Sequence, residues 1–430
     1  MNIRVLRERP VLAWAFYDWA NSAYATTVMA GFFPIFFSQY WSVGVDGSVT
    51  TFRLGIANGT ASLIIAFLAP FLGAIGDRGG SRMRFLLTFA ALGVVMSSAL
   101  YFVGQGQWQY AVVIYALATM GFAGGNLFND SLLVDISAPE NFSLISGFGY
   151  AMGYIGGGLL FLVNVLMTLH PEWFGLVDAA QAVRVSFVTV AVWWAVFSIP
   201  AMLWVRETPT VNKSSSWQAV TAGLTQLKQT LKKIRSLKTI VLFLVAYWLY
   251  IDGVNTIIKM AVDFGINLNI APADLMKALL LVQFVGFPAT LAFGWLGNRI
   301  GAKRGIMICI TVYFVSTLWA GIYLKTVTDF YMLAITIGLV QGGVQSLSRA
   351  LYASIIPSDK TAEFFGFYNM LGRFAAVLGP YLVAGVALFT QNSRYAIMAV
   401  APLFLFGAAV LYRVDTDKGR REANALEGEI

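Results

Sequence analysis

The chain has 430 residues, of which 58% are apolar and only 12% charged, with a net charge of +8. So little charge cannot cover the surface of a soluble domain, so the composition predicts an all-α integral membrane protein. One cysteine and one histidine exclude an internal disulfide and a metal cluster, and no GxxxxGK[ST] loop is present for an ATP-driven machine.

A spanning helix needs about 20 predominantly apolar residues, and twelve such runs can be traced in chain order. Helix 1, near 12–40, carries YDWANSAYATT at 17–27, which places Tyr17, Asp18, Asn21, Ser22 and Tyr24 on one broad helical face. Helix 2, near 53–76, leads into the loop GAIGDRGGSRMR, containing Gly73, Asp77 and Arg78. Helix 3, near 84–105, is plainly apolar, whereas helix 4, near 108–136, holds Asn126, Asn129 and Asp130 within GGNLFNDSLLVDISAP. Helix 5, near 142–170, contains GFGYAMGYIGGG, whose small residues allow close helix approach, with Tyr150 and Tyr154 as candidate cavity contacts and His170 as an interfacial cap. Helix 6, near 182–205, completes the first set.

Between 206 and 237, Trp217, Val220, Leu224, Leu227, Leu231, Ile234 and Leu237 recur at spacings of three and four among lysines and arginines. That pattern predicts an amphipathic linker helix on the membrane surface. Helix 7, near 238–264, bears a polar stripe of Asp252, Asn255, Thr256, Lys259 and Asp263. Helix 8, near 275–298, ends in GWLGNRIGAKRG, containing Gly294, Asn298 and Arg299, and helix 9, near 304–325, keeps Cys309 as a small core residue. Helix 10, near 329–356, carries Gln341, Gln345, Ser348, Arg349 and Tyr352. Helix 11, near 363–390, includes Arg373 and the sequence LGP, and helix 12, near 394–413, precedes a polar tail.

The two glycine-basic loops stand 221 positions apart, and GGNLFNDSLLVDISAP is matched by GGVQSLSRALYASIIP at an offset of 218. DWAN at 18–21 is echoed by DGVN at 252–255. These pairs predict two six-helix bundles, at 1–205 and 238–413, joined by the 206–237 linker and followed by a tail at 414–430. Most of the 29 lysines and arginines fall in the N-terminus, the loops after even-numbered helices, the linker and the tail, which predicts that both termini are cytoplasmic. This asymmetry accounts for the positive charge without any nucleic acid.

The loop GAIGDRGGSRMR, with its second copy, resembles the signature loop of the major facilitator superfamily. More narrowly, YDWANSAYATT, LFNDSLLVDIS, YIDGVNTI, GGVQSLSRALYASIIP and EFFGFYNMLGR are similar to the vacuole-effluxer family of that superfamily. The resemblance implies that helices 1, 4, 7 and 10 face a central cavity and that a small-molecule substrate crosses by alternating access, with no cofactor and no enzymatic step. It further implies a neutral amino acid or related metabolite as cargo. Export of an amphipathic compound such as a drug, siderophore or lysolipid is the alternative, and a non-transporting membrane sensor a remote one. Short loops favour a bacterial inner membrane over a vacuole, and the chain is expected to act as a monomer in the lipid bilayer.

Charged groups at membrane depth are costly, by about 2.5–3.5 kcal/mol on insertion scales, so the polar residues are expected to line the cavity. Candidate substrate contacts are therefore Tyr17, Asp18, Asn21, Tyr24, Asn126, Asn129, Asp130, Asp252, Asn255, Lys259, Gln341, Gln345 and Arg349. Asp18 lies about 10 Å along helix 1 at 1.5 Å per residue, and Asp130 and Arg349 are equally near the cytoplasmic ends of their helices. Asp18 or Asp130 is expected to pair with Arg349 as a gate; capture of a substrate carboxylate and pairing within the second bundle are rival roles for Arg349. Asp252 and Asp18 are candidate proton carriers, but the residues leave proton coupling and uniport both open. Lys259 and Asp263, four apart, can neutralise each other.

Overall fold

A computed structural model describes residues 3–45, 53, 64–77, 82–207, 225, 227–228, 230, 237–268, 270–375, 378–390 and 393–425. The described residues are all helical apart from turns. In chain order, α1 begins at Arg9–Ala23 and continues through Tyr24–Phe32, Phe33–Phe36 and Phe37–Trp41. It is followed by α2 (Ile64–Asp77), α3 (Arg82–Ala99), α4 (Trp108–Ser131, with a last turn at Leu133–Ile136), α5 (Phe142–Leu169) and α6 (Ala179–Trp204). The second set comprises α7 (Lys238–Asn267), α8 (Pro272–Ile300), α9 (Ala302–Tyr323), α10 (Val327–Ala353), α11 (Thr361–Phe374 and Leu378–Thr390) and α12 (Ser393–Met398 and Ala401–Tyr412), before a tail helix α13 (Thr416–Asn424).

Ten of these helices are long and apolar enough to cross a membrane, and Ile64–Asp77 is a shorter apolar one. α1 reaches comparable length by a mixed route. Its Tyr24–Phe32 and Phe37–Trp41 stretches are π-helical and flank Pro34, which has no N–H to give the ladder. The ends of other helices follow ordinary capping chemistry. Asp178 accepts from the Gln181 amide at 2.7 Å to start α6, and Thr326 and Asp329 form a reciprocal capping box at the start of α10. Gly301, at φ +89°, turns α8 into α9 in a single residue.

Within the first set, α3 packs on α4 and α6, and α1 on α5 and α6; within the second, α8 packs on α10, α7 on α12, and α9 on α10 and α12. The sets meet where α5 crosses α8 and α10 and where α4 crosses the first segment of α11. At the α5–α8 crossing a Cβ on Gly294 would stand 3.0 Å from the Ser143 carbonyl oxygen and 3.1 Å from the Gly147 Cα, so backbone meets backbone there. Large apolar side chains such as Val95, Val192, Ile199, Val315, Phe406 and Phe389 point outward. In a soluble protein they would be a liability, but a bilayer solvates them.

The predicted helix 1 begins three residues early in the structure, and helix 7 extends to Asn267. The amphipathic segment 206–237 lies largely outside the described residues, as does Arg78. Cys309 is fully buried, as expected of a small core side chain.

Candidate functional site: a charged cluster shared by the two sets of helices

The last residues of α2 and α8 and the turns after α4 and α10 lie at one end of the bundle, here called the basic face. About two and a half helical turns from the start of α1, Asp18 points towards α4, α5 and α10. The first turns of α1 are dictated by Pro10 at its N-terminus, after which WAFYDWA continues without a breaking residue. On α10, the run GGVQSLSRALYA is buried along nearly its whole length, and Arg349 is carried in with it at 1% exposure.

The guanidinium uses all of its N–H groups. Nε donates to Ser146 Oγ at 2.8 Å, and Nη2 donates to the Ser146 carbonyl at 3.0 Å and to Asp18 Oδ2 at 3.3 Å. Nη1 donates to Asp18 Oδ2 at 3.3 Å and to Asp130 Oδ1 at 2.9 Å. Its planar faces lie against two rings, with Trp14 4.6 Å and Tyr150 4.4 Å from the guanidinium carbon. Every one of these partners belongs to α1, α4 or α5, whereas Arg349 belongs to α10. Pairing within the second set therefore does not occur, and the expected choice between Asp18 and Asp130 is replaced by simultaneous contact with both. The physical reason is the fork: separate N–H groups on one nitrogen can serve two carboxylates at once.

The carboxylates are held in turn. Asn129 Nδ2 donates to Asp18 Oδ1 at 3.1 Å, and the Trp14 indole N–H donates to the Asn129 carbonyl at 2.7 Å. Gly149 makes room for the assembly. A Cβ there would strike the Asp18 carboxylate and the Trp14 ring and sit 3.1 Å from Arg349 Nη2.

A second arrangement lies nearer the basic face and involves the signature loops. Asp77, at the end of α2, accepts from the backbone amides of Ala362 at 3.1 Å and Glu363 at 2.8 Å, and so caps the start of α11. Gly73 permits this, because a Cβ on it would collide with the Ala362 carbonyl. The second copy does the corresponding job: Asn298, at the end of α8, accepts from the Leu144 amide of α5 at 3.2 Å. Arg299 stacks on Trp295 at 4.0 Å. Arg82 ties the first copy down, donating to Thr361 Oγ1 at 2.6 Å and to Asp135 at 3.1 Å, with Asp77 at 3.8 Å. Its own amide donates to Glu207, whose carboxyl burial pushes above the usual glutamate range while Arg82 opposes the shift.

The remaining sequence candidates divide. Asn21 donates to Asn126 across the α1–α4 contact. Tyr17 and Tyr24 are fully buried within the first set, Tyr17 with its hydroxyl against Gly125 and Tyr24 bonded to Thr119 at 3.0 Å. Neither lines a cavity, because their side of α1 faces α4. Asp252, expected as a candidate proton carrier, is fully buried and accepts from the Gly379 amide with both oxygens at 3.0 Å, at the start of the second described segment of α11. Asn255 donates to the Gly372 carbonyl at 3.5 Å. Gln341 and Gln345 are half-buried, two turns and one turn from Arg349 on the same side of α10. The side chains of Lys259 and Asp263 lie outside the described residues.

Sequence reasoning passed over Ser146, Trp14 and Gly149, which complete the cluster, and Arg82 and Asp135, which complete the loop arrangement. Arg82 and Asp135 lay inside quoted motifs, so charge at membrane-end depth was the available signal. Ser146 carries none, since a serine on a glycine-rich helix reads as packing.

The model of the family described as "Vacuole effluxer Atg22 like" matches residues 42–424. The chain belongs to the vacuole effluxer family. Among its relatives, the uncharacterized MFS-type transporter YxiO of Bacillus subtilis is 34% identical over 401 residues, covering 93% of each chain. Autophagy-related protein 22 of Yarrowia lipolytica is 27% identical over 332 residues, which span 70% of this chain and 56% of that protein. Among solved structures, the human organic anion transporter MFSD10 (TETRAN) superposes with a TM-score of 0.70 at 15% identity over 94% of this chain and 99% of that one. The proton:xylose symporter XylE also gives 0.70, at 13% identity over 97% of both chains. The chain therefore has the major facilitator fold, and it is a multi-pass membrane transporter.

Proposed function

We propose that this effluxer-family protein carries a small organic solute by alternating access, as a secondary active or facilitative transporter. In this reading residues 1–205 and 238–413 are the two rocking bundles, the basic face is cytoplasmic and the membrane is a bacterial inner membrane. The cluster of Asp18, Asp130 and Arg349 is the lock that holds the cytoplasmic side shut. One observation carries this: all of the Arg349 N–H groups are spent on α1, α4 and α5, so a single side chain spans the seam along which the bundles must part. A guanidinium so occupied has no free fork for a substrate carboxylate, which favours a gate over a substrate anchor. The capping of α11 by Asp77 and of α5 by Asn298 supports the same closed state, since each would be released by rocking.

The cargo we favour is a neutral amino acid or related metabolite. The half-buried amides Asn126, Gln341 and Gln345 stand beyond the lock on α4 and α10 and suit a hydrogen-bonding, uncharged solute. Counterflow of labelled leucine and tyrosine into liposomes loaded with excess unlabelled solute tests both parts. Accumulation by the wild type and its loss in Arg349→Ala is the expected result. No accumulation by folded, inserted wild-type protein would remove large neutral amino acids as cargo.

A further inference from the structure

The lock contains two carboxylates and one guanidinium, and the charge count does not close. Asp18 and Asp130 share the Nη1 nitrogen of Arg349, at 3.3 Å and 2.9 Å, so the two acidic groups stand on one donor. With both ionised, a net charge of −1 would be buried at membrane depth between the helices. Carboxylates sharing a site in this way resist joint ionisation.

The surrounding groups do not supply the missing positive charge. On α5 the facing ring is Tyr150; on α7 and α11 the nearest titratable groups are Tyr247 and Tyr368, stacked on each other at 4.1 Å. Tyr17 is the titratable neighbour on α1. Arg373, one turn beyond Asn369 on α11, stands beside Tyr247, while Asn369 itself approaches Asp130 as an uncharged amide at 3.5 Å. Nearer the basic face, Arg82 is engaged by Asp77, Asp135 and Glu207, and the first turn of α11 adds the acidic Glu363. Among the described residues, Arg349 is the one cation paired with either carboxylate.

We infer that the lock closes with one proton bound to the Asp18–Asp130 pair, so that shutting the cytoplasmic side takes up a proton and opening it releases one. The balance is then one carboxylate, one carboxylic acid and one guanidinium, with no net charge. The geometry suits a proton rather than a metal ion. Arg349 and Asn129 already occupy three of the four carboxylate oxygens, which leaves no shell of oxygens for a cation. Access is also preserved: the side chains of Asp18 and Asp130 keep 12% and 11% of their surface exposed, against 2% for Arg349. The inference rests on the gate reading and deepens it, because it makes the proton the ion that couples to closure.

Spin labels at Ala138→Cys and Ser358→Cys, on the exposed turns after α4 and α10, report separation of the two sets by pulsed dipolar spectroscopy on the full-length protein; Cys309 is buried. The wild type should show a short-distance population that falls as pH rises, with the closed-to-open ratio dropping about tenfold per pH unit above its midpoint, as release of one proton requires. Asp130→Asn, or Asp18→Asn should the first fail to fold, removes the excess charge and should stay short at every pH. A wild-type distance independent of pH, with Arg349→Ala lengthened, would overturn the proton inference and leave the gate standing. A population that follows sodium concentration at fixed pH would overturn it in favour of a metal cation. Distances in Arg349→Ala equal to those of the wild type would remove the gate reading, and the inference with it.

Discussion

At the scale of single residues, the site is an exercise in satisfying one buried guanidinium. Breaking a buried ion pair by removing one partner costs about 3–5 kcal/mol, because the other charge is left unpaired. Here Arg349→Ala leaves two carboxylates facing one another, so it should act mainly on the closed state and open the basic face. Arg349→Lys keeps the charge but loses the planar fork and its stacking between Trp14 and Tyr150. A single ammonium cannot reach Ser146, Asp18 and Asp130 together, so counterflow should fall by roughly tenfold or more, the equivalent of about 1.4 kcal/mol of lost closed-state stability. Gly149→Ala tests space rather than charge. Its Cβ would press on Asp18, Trp14 and Arg349, and overpacking of this kind costs about 1–3 kcal/mol. A thermal-shift assay in detergent, read beside counterflow, should show both falling.

At the scale of elements, the two signature loops do the same work with unequal chemistry. Asp77 presents a carboxylate to two amides of α11, whereas Asn298 presents a neutral amide oxygen to one amide of α5. The first cap also gains from the positive end of the α11 helix dipole. Asp77→Asn should therefore weaken the closed state by about 0.5–2 kcal/mol, within the range for cap substitutions, while Asn298→Asp should strengthen it slightly by the same dipole argument. The glycines differ as well. Gly73→Ala drives a Cβ into the backbone of Ala362, which cannot yield, whereas Gly294→Ala meets the Ser143 carbonyl and Gly147 Cα at 3.0 and 3.1 Å, where a small shift suffices. Transport should accordingly suffer more from the first, and equal effects in counterflow would contradict the asymmetry.

At the scale of the whole molecule, much was legible in the sequence because the bilayer is a demanding solvent. Runs of apolar residues and the paired GAIGDRGGSRMR and GWLGNRIGAKRG loops are enough to announce a multi-pass helical transporter. Asp18, Asp130 and Arg349 were conspicuous for the same reason, since charge in an apolar run needs a partner. Facing directions were less legible. Tyr17 and Asp18 are adjacent in sequence, yet one turns into the α4 contact and the other into the seam, and only the packing of α1 on α5 and α6 decides which. The surroundings of Asp252 were hidden for a similar reason: nothing in YIDGVNTI reveals that α11, over a hundred residues later, offers it the Gly379 amide. The completing serine and glycine carry no signal outside the assembled structure.

In the proposed cycle Arg349 keeps the basic face shut. The most direct measurement is labelling of Gln345→Cys, one turn behind the lock on α10, by a membrane-impermeant maleimide applied from that face; the native Cys309 is buried and serves as an internal blank. Slow labelling with Arg349 in place and at least tenfold faster labelling after Arg349→Ala is the predicted result. Equal rates, in protein shown to be folded and inserted, would mean that the path is closed by something else and would contradict the account.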